Sequence, residues 1–237
     1  YGVVVCIRET LKKLGMEGKG MTAAIQGFGN VAQFTAINFI NQIGGIVKCV
    51  SSWDRADKAS YTFYKKEGID PNYLLSITDQ YGSIDKTKAA EAGYEVMDGE
   101  AWLSMDVDIL IPAALEGQIR ADNVDKISKQ VKILAEAANG PTMTEADEVI
   151  KKRKIFLIPD FLCNCGGVTC SYFEGVQNDA NFYWSEAEVL AKLDEKMTTA
   201  YSSVYEMAQQ KKAYMRDAAY MVAIHRVVVA MKLRGWV

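Results

Sequence analysis

One short motif constrains the fold of this chain more than any other feature, the run GFGNVA at 27–32. Its G-x-G-x-x-A spacing provides one glycine for a tight turn, a second for backbone approach to a pyrophosphate, and a small residue for helix-strand packing. An apolar run at 21–26 precedes the motif and predicts a buried parallel strand. Helical spacing resumes at Val31 and ends at Gly44. This context predicts a dinucleotide site at a helix N-terminus.

Strand and helix patterns alternate along most of the remaining chain. Further buried strands are predicted at 46–53, 107–112, 131–135 and 155–159. Helices are predicted at 3–14, 119–127 and 144–153, and two long helices between 185 and 234 are separated near 211–213. Alternating strands and helices predict an α/β fold, namely a Rossmann-type doubly wound, mostly parallel sheet with C-terminal helices.

The segment from 55 to 93 has a weaker pattern than the rest. Aromatic residues at 61–64 are compatible with short strands, 68–71 with a turn, and 73–81 with a short helix. We therefore predict that this segment forms a surface excursion from the sheet.

The domain organisation follows from these patterns and from the size of the chain. With 237 residues, 49% of them hydrophobic, the chain can bury a sizeable core. We expect one dinucleotide-binding domain over 1–237, with a Rossmann-type core and its N-terminal helix at 1–184 and helices at 185–237.

Charge and hydropathy argue against two classes of partner. The net charge is −3 and no block of like charges occurs, so nucleic acid is not an expected partner. No apolar run is long enough to cross a bilayer, so we expect a cytoplasmic protein without membrane attachment.

Three of the five cysteines lie together, at 163, 165 and 170, which raises a metal-binding alternative. Zinc sites need a second ligand pair, and the single histidine is distant, so no metal is expected.

The residues after the second predicted strand bear on the choice of dinucleotide. An acidic side chain commonly binds the adenosine ribose there, but the sequence reads Ser51-Ser52-Trp53-Asp54-Arg55. If Ser52 takes that position with Arg55 nearby, the 2′-phosphate of NADP can be accommodated. If Asp54 turns inward, NAD is favoured. Both NAD and NADP therefore remain open as cofactors.

Several blocks of sequence, in order, resemble the family of glutamate, leucine, phenylalanine and valine dehydrogenases, and glutamate dehydrogenase in particular. They are AIQGFGNVA (24–32), IPAA (111–114), EAANGP (136–141), IPDFLCNCGGVTCSYFE (158–174) and MRDAAY (215–220). The block at 158–174 is the most specific of them. The resemblance covers the whole chain and implies the NAD(P)-binding domain of an oxidoreductase in amino acid metabolism.

The resemblance also implies which residues bind ligands. Expected cofactor-binding residues are Gly27, Phe28, Gly29, Asn30, Val31, Ser52, Asp54, Ala113, Ala114, Asn139 and Asn164. Asn139 and Asn164 are expected beside the nicotinamide, where amide groups can both donate and accept hydrogen bonds. Val168 and Ser171 are expected to bind substrate. A hydroxyl at 171 suits the side-chain carboxylate of glutamate, whereas an apolar wall suits leucine.

The implied reaction is the reversible oxidative deamination of L-glutamate to 2-oxoglutarate and ammonia. In the family a preceding substrate domain carries the catalytic lysine and aspartate, and the resemblance begins after that domain. We therefore expect no catalytic residue in this chain, little activity for the chain alone, and homo-oligomers only for the intact protein. The alternatives are a leucine, phenylalanine or valine dehydrogenase domain, or a non-catalytic dinucleotide-binding module.

Overall fold

A single seven-stranded sheet forms the centre of the computed structural model, which describes residues 1–237. The strands are β1 (Thr22–Gln26), β2 (Ile46–Asp54), β3 (Ala59–Tyr64), β4 (Glu95–Asp98), β5 (Ile109–Pro112), β6 (Ile133–Ala135) and β7 (Phe156–Ile158). Their order is β4-β3-β2-β1-β5-β6-β7. Five strands run parallel to one another, namely β2, β1, β5, β6 and β7. β3 and β4 add two antiparallel strands at one edge. The predicted α/β fold with a mostly parallel sheet is confirmed.

The strand order reverses at β1, since β2 lies on one side of it and β5 on the other. In open α/β sheets a crevice forms at such a point, outside the carboxyl ends of the strands. The motif at 27–32 directly follows β1, so it lies at this crevice.

Nine α-helices surround the sheet. They are α1 (Gly2–Leu14), α2 (Asn30–Asn38), α3 (Pro71–Ser76), α4 (Lys86–Glu91), α5 (Thr144–Lys152), α6 (Asp160–Cys163), α7 (Gly166–Ala180), α8 (Glu186–Lys211) and α9 (Met215–Leu233). A π turn at Phe39–Ile43 extends α2 to Gly44, where the sequence predicted its end. The predicted N-terminal helix and both long C-terminal helices are confirmed. A capping box formed by Ser185 and Glu188 begins α8.

Alternate residues of the strands pack into two hydrophobic cores, one on each face of the sheet. The larger core contains 38 buried residues, including residues of α1, α2 and α8. The smaller core contains 15 and includes residues of α5. Ala23 and Ile25 of β1 contribute to the larger core, and Ala24 contributes to the smaller one. Both faces of β1 are therefore covered, as the continuous apolar run predicted.

The prediction for 55–93 is confirmed in part and wrong in part. The possible strand at 61–64 is confirmed as β3, but it is not a surface excursion, because β3 pairs along β2 from Ala59 to Tyr64, and β4, just beyond the segment, extends the sheet further. The predicted helix at 73–81 is shorter than expected, because α3 ends at Ser76, and α4 was not predicted. β4 is an edge strand with two exposed charged ends, so it lacks the apolar run used to predict the buried strands.

The helix predicted at 119–127 is also wrong. Only a short 3₁₀ turn forms there, at Val124–Lys126. Ile119, Val124 and Ile127 are nevertheless buried in the smaller core. These three apolar residues anchor an irregular connection to the core. Because they happen to lie at helical spacing, the segment resembled a helix in the sequence.

The structure contains no helix that is both long enough and apolar enough to span a membrane.

Candidate functional site

Gly27 makes the sharp turn out of β1, and its conformation requires a glycine. Its φ is +99°, a backbone region that side chains disfavour. A Cβ atom there would lie 3.0 Å from the carbonyl oxygen of Ala113 and 3.1 Å from the Cβ of Ala114. The turn is thus packed directly against the segment that follows β5. This contact brings together two of the predicted cofactor-binding segments.

Gly29 differs from Gly27, because the space around it is open. Its backbone is extended, with φ −76° and ψ −175°, and it is the N-cap of α2. A Cβ atom there would meet no other atom within 4 Å. The first-turn N–H groups of an α-helix have no intrahelical partner, and here no side chain caps them either. An anionic group could approach the backbone here and interact favourably with the helix dipole.

The neighbouring residues of the motif divide between the core and the surface. Phe28 is buried, and its carbonyl oxygen accepts a hydrogen bond from the Gln33 side chain at 2.7 Å. Asn30 and Val31 are exposed at the start of α2. Phe28 therefore anchors the turn, while the helix end that follows it faces solvent.

The end of β2 lies against the motif through a residue that the sequence analysis did not select. Ser51 is paired with Gln26 in the sheet, and its hydroxyl accepts a hydrogen bond from the Gly27 N–H at 3.1 Å. Ser52, which was selected, is buried and donates to the carbonyl oxygen of Gly82 at 2.8 Å. Strand register decides which serine reaches the turn, and register is not visible in the sequence.

Asp54, the last residue of β2, forms an ion pair. Lys86 donates to its carboxylate at 2.8 Å, and this hydrogen bond holds the pKa of Asp54 below its usual value. Lys86 also contacts Asp57. The guanidinium of Arg55 stacks over the ring of Tyr81, 4.2 Å from its centroid. Asp54, Asp57 and Lys86 therefore form one ion cluster near this strand end, and Arg55 contacts an aromatic ring.

The two predicted nicotinamide-binding asparagines are in direct contact. The Asn164 side chain donates through Nδ2 to Oδ1 of Asn139 at 2.7 Å. Asn139 follows β6, and Asn164 ends α6, which follows the adjacent strand β7. The pair leaves the Nδ2 group of Asn139 and the Oδ1 atom of Asn164 without another partner. One donor and one acceptor are thus available together, which matches the needs of a carboxamide.

A buried ion network lies beneath this asparagine pair. Glu136 is fully buried, and Arg216 of α9 donates to both of its carboxylate oxygens, at 2.9 and 3.0 Å. Arg216 also donates to Asp147 at 2.8 Å. The backbone N–H of Asp160 donates to Glu136, and the carboxylate of Asp160 accepts from the Gly140 N–H at 2.8 Å. The network therefore connects α9 to the turns that carry both asparagines.

The pKa of Glu136 reflects two opposing effects in this network. Burial raises its pKa, whereas the hydrogen bonds and positive charge of Arg216 lower it, and the net direction is upward. The arginine thus offsets only part of the cost of burying the carboxylate.

A cavity of about 290 Å³ opens between the start of α2 and the asparagine pair. Asn30, Val31, Phe34, Asn164 and Cys170 are among the residues that line it. The lining is mainly apolar, with Asn30, Thr35 and Asn164 as polar residues. A planar ring with one polar substituent would suit such a cavity.

The two predicted substrate-binding residues lie outside this cavity, on α7. Val168 is 69% exposed, and Ser171 is exposed one helical turn further on the same face. The Ser171 hydroxyl donates only to the Gly167 carbonyl of its own helix, at 3.4 Å. Both side chains are available to a ligand on this face.

The cysteines are not arranged as a metal centre. No three His, Cys, Asp or Glu side chains converge in a way that could hold a metal ion. The thiols of Cys6 and Cys165 instead both donate to the carbonyl oxygen of Leu162, at 3.8 and 3.1 Å. All five cysteines are free thiols.

Thiol labelling should separate the cysteines by burial. Cys6, Cys49 and Cys163 are buried, and burial raises the pKa of each, to about 12 for Cys49. We expect an aromatic disulfide reagent at pH 8 to label Cys170 rapidly in the native protein and Cys165 more slowly, because thiolates are the reactive species and partial burial raises the pKa of Cys165 as well. All five should react after denaturation without reductant. Fewer than five under those conditions would contradict the free-thiol assignment.

Comparisons with known proteins identify the family of this chain. The family model described as Glutamate/Leucine/Phenylalanine/Valine dehydrogenase matches residues 1–235. The chain is 41% identical over its whole length to a cryptic catabolic NAD-specific glutamate dehydrogenase of Bacillus subtilis, of which it covers 52%. It is 42% identical to an NAD-specific glutamate dehydrogenase of Clostridioides difficile, of which it covers 54%.

Solved structures give the same result. The crystal structure of glutamate dehydrogenase from Peptoniphilus asaccharolyticus superposes with a TM-score of 0.80 and 39% identity, over 100% of this chain and 52% of that one. Another glutamate dehydrogenase structure gives a TM-score of 0.89 at 27% identity, over 99% of this chain and 53% of that one. The chain spans about half the length of the curated relatives it matches.

Proposed function

The chain belongs to the Glutamate/Leucine/Phenylalanine/Valine dehydrogenase family, and we propose that it is the dinucleotide-binding part of an enzyme that oxidatively deaminates L-glutamate to 2-oxoglutarate and ammonia. The observation that carries the proposal is the open backbone at Gly29, placed where the strand order reverses. In this proposal residues 1–184 form the dinucleotide-binding core and 185–237 the helices that support it.

The proposed cofactor contacts follow the geometry of the crevice. The pyrophosphate lies against the backbone at Gly27 and Gly29 and the first turn of α2, which is uncapped. Asn139 and Asn164 orient the carboxamide of the nicotinamide with their free donor and acceptor. When bound, the cofactor accepts a hydride from the α-carbon of the amino acid.

The remaining predicted contacts belong to the adenosine half. Ser52 and Asp54 are proposed to lie near its ribose, and Ala113 and Ala114 beside the turn. We propose NAD as the cofactor. The curated relatives are named NAD-specific, and the carboxylate of Asp54 would disfavour a 2′-phosphate. Lys86 is already paired with Asp54 and Asp57, so it is not a free cation for that phosphate.

L-Glutamate is the proposed substrate because of the surface of α7. The hydroxyl of Ser171 is exposed and can donate to a carboxylate, while Val168 gives the adjacent apolar contact. The names of the relatives support the same substrate. Their greater length supports the proposal that the acid-base groups lie outside 1–237.

An exposed apolar surface on α9 supports a proposal about assembly. From Tyr220 onward this helix exposes large hydrophobic side chains on several faces, namely Tyr220, Met221, Ile224, Val227, Val229 and Leu233. Monomeric proteins rarely expose so extended an apolar surface. We propose that this surface packs against the additional half of the full-length protein, and that oligomers form from that protein.

Calorimetric titration of the 237-residue chain tests the proposed function. We expect NAD and NADH to bind with dissociation constants between roughly 10 µM and 1 mM, and NADP about tenfold more weakly. The weaker NADP binding would follow from repulsion between its 2′-phosphate and the cluster of Asp54, Asp57 and Lys86, in which two carboxylates share one ammonium group. No binding of any dinucleotide at several millimolar would contradict the proposal, and a preference for NADP would contradict the cofactor assignment alone.

A further inference from the structure

A second cleft, of about 330 Å³, lies beside Gly27 on the face of the sheet away from α2. Its polar lining consists of Gln26, Ser51, Ser60, Asp98, Glu100 and Gln118. Side chains alternate along a strand, so Gln26 is on the same face of β1 as Ala24, which packs in the smaller core. The cleft adjoins the turn because Ser51 accepts a hydrogen bond from the Gly27 N–H.

Hydrogen bonds fix the orientation of the Gln26 side-chain amide. Nε2 of Gln118 donates to the carbonyl oxygen of Glu116 at 3.1 Å, so Oε1 of Gln118 is the atom available to Gln26. Nε2 of Gln26 donates to that oxygen at 2.6 Å. Rotating the Gln26 amide by 180° would place two oxygens against each other. Oε1 of Gln26 therefore faces away from Gln118.

This oxygen has no hydrogen-bond partner. Gln26 is only 7% exposed, and its Oε1 atom is buried and unpaired. Buried polar atoms in native proteins nearly always have a partner, and leaving one without a partner is costly. Because this atom has almost no accessible surface, a ligand in the cleft can reach it only after a neighbouring side chain shifts, and a hydrogen bond from that ligand would then remove the cost.

The other polar groups of the cleft restrict the chemistry of the donor. Glu100 already accepts hydrogen bonds from Arg120, Asn123 and Lys126, which hold its pKa at about 2. Its charge is therefore balanced within the chain, and the other carboxylate of the cleft, Asp98, is exposed and accepts a hydrogen bond from the Glu100 N–H. The unpaired amide oxygen suits a neutral N–H donor.

The position of the cleft identifies which part of a dinucleotide could reach it. The asparagine pair and its cavity lie on one side of the turn at Gly27, beside Asn30 and Val31. The second cleft lies on the other side, next to the end of β2. A dinucleotide whose pyrophosphate is bound at the turn, with its nicotinamide at the asparagines, would direct its adenosine half toward the second cleft.

We propose that Gln26 determines specificity for the base, because its Oε1 accepts a hydrogen bond from the exocyclic amine of adenine. Gln118 acts as a positioning residue that holds the Gln26 amide in the accepting orientation. The proposal rests on the proposed function, in which the turn at Gly27 binds the pyrophosphate.

A comparison of NAD with nicotinamide hypoxanthine dinucleotide tests this proposal. Hypoxanthine carries a carbonyl oxygen where adenine carries the amine, so that oxygen would oppose Oε1 of Gln26. We expect the chain to bind NAD roughly tenfold more tightly than the analogue. In Gln26→Leu the two affinities should differ by less than about twofold, because the acceptor is gone. The matched control Gln209→Leu, at an exposed position near the end of α8, should retain the full preference.

The possible outcomes distinguish failure of the role proposed for Gln26 from failure of the proposed dinucleotide-binding function. Equal binding of NAD and the analogue by the original chain overturns the role of Gln26, and so does a preference that survives Gln26→Leu. Either result leaves the proposed function intact, since both dinucleotides still bind. An ordered water on Oε1 predicts such equal binding. If neither dinucleotide binds, the proposed function fails and this proposal fails with it.

A second variant covers the case in which Gln26→Leu does not fold. Gln118→Leu removes the partner that orients the Gln26 amide, but it alters a half-buried loop residue and leaves the strand intact. Once the Gln26 amide is free to rotate, either its oxygen or its nitrogen can face the base. We expect the preference for NAD to fall to less than about threefold while both ligands still bind. An unchanged preference in this variant would overturn the positioning role.

Discussion

Gly29→Val is expected to weaken NAD binding by about 100-fold or more while leaving the fold intact. The physical reason is the empty space around this residue. A Cβ at Gly29 meets no atom of the protein within 4 Å, and the φ of −76° is accessible to valine. The valine side chain would therefore project from the turn into the volume in which the pyrophosphate is proposed to approach the backbone.

The measurement pairs titration calorimetry with chemical denaturation of the same variant. Valine is a poorer N-cap than glycine, so the free energy of unfolding should fall by no more than about 1 kcal/mol. Gly175→Val is the matched control, since it also adds a side chain into open space, but on exposed α7. It should bind NAD normally. If Gly29→Val binds NAD within about threefold of the original chain, the pyrophosphate does not lie at this turn.

The central part of the fold could be predicted because its signals are local. The run at 21–26, the glycines at 27 and 29, and the helical spacing from Val31 define a strand, a turn and a helix in sequence order. The two C-terminal helices were also predicted, since 185–234 contains almost no residue that interrupts a helix. Such elements depend mainly on their own residues.

The antiparallel edge was predicted only in part. The aromatic residues at 61–64 indicated a possible strand, which is β3, but β4 depends on pairing with β3 and has no buried residue. Edge strands of this kind carry polar residues that also suit a surface loop. At 119–127 the opposite error occurred, because three buried residues at helical spacing anchor an irregular connection.

Only part of the candidate site was accessible from sequence. The resemblance supplied Asn139 and Asn164, and the structure brings them within 2.7 Å of each other. Ser51 and Gln26 were not selected, because their importance comes from the register between β1 and β2, which pairs these two residues. An unpaired amide oxygen such as that of Gln26 becomes visible only when every hydrogen bond around it is known.

The contribution of Arg216 to the support of the asparagine pair could not be predicted from the sequence either. Arg216 lies 80 residues from Glu136 in sequence, yet it donates to both carboxylate oxygens. Through Asp160 the same network reaches the N–H of Gly140, next to Asn139. Long-range ion pairs of this kind have no local signature, since an arginine early in a helix is usually a surface residue.

Replacement of Arg216 is expected to have the largest effect on stability. Arg216→Met keeps the length of the side chain but leaves the fully buried Glu136 carboxylate without a counter-charge. We expect a loss of about 3–5 kcal/mol in the free energy of unfolding at pH 7.5, measured by denaturant titration. Arg120→Met is the matched control, because Arg120 is a half-exposed arginine with partners at the surface. That change should cost about 1 kcal/mol or less.

The dependence of this loss on pH tests its cause. The pKa of Glu136 is raised in the folded protein, chiefly by burial, so its contribution favours folding at low pH and is lost as the pH rises through the folded value. Removing Arg216 takes away the opposing influence and raises that pKa further. The difference between Arg216→Met and the original chain should therefore shrink as the pH is lowered from 7.5 toward 5. Adding Glu136→Gln to the variant should recover part of the stability and abolish the pH dependence of the difference, because an amide does not titrate. A loss that is independent of pH in Arg216→Met would mean that packing, and not the buried charge of Glu136, accounts for the effect of Arg216.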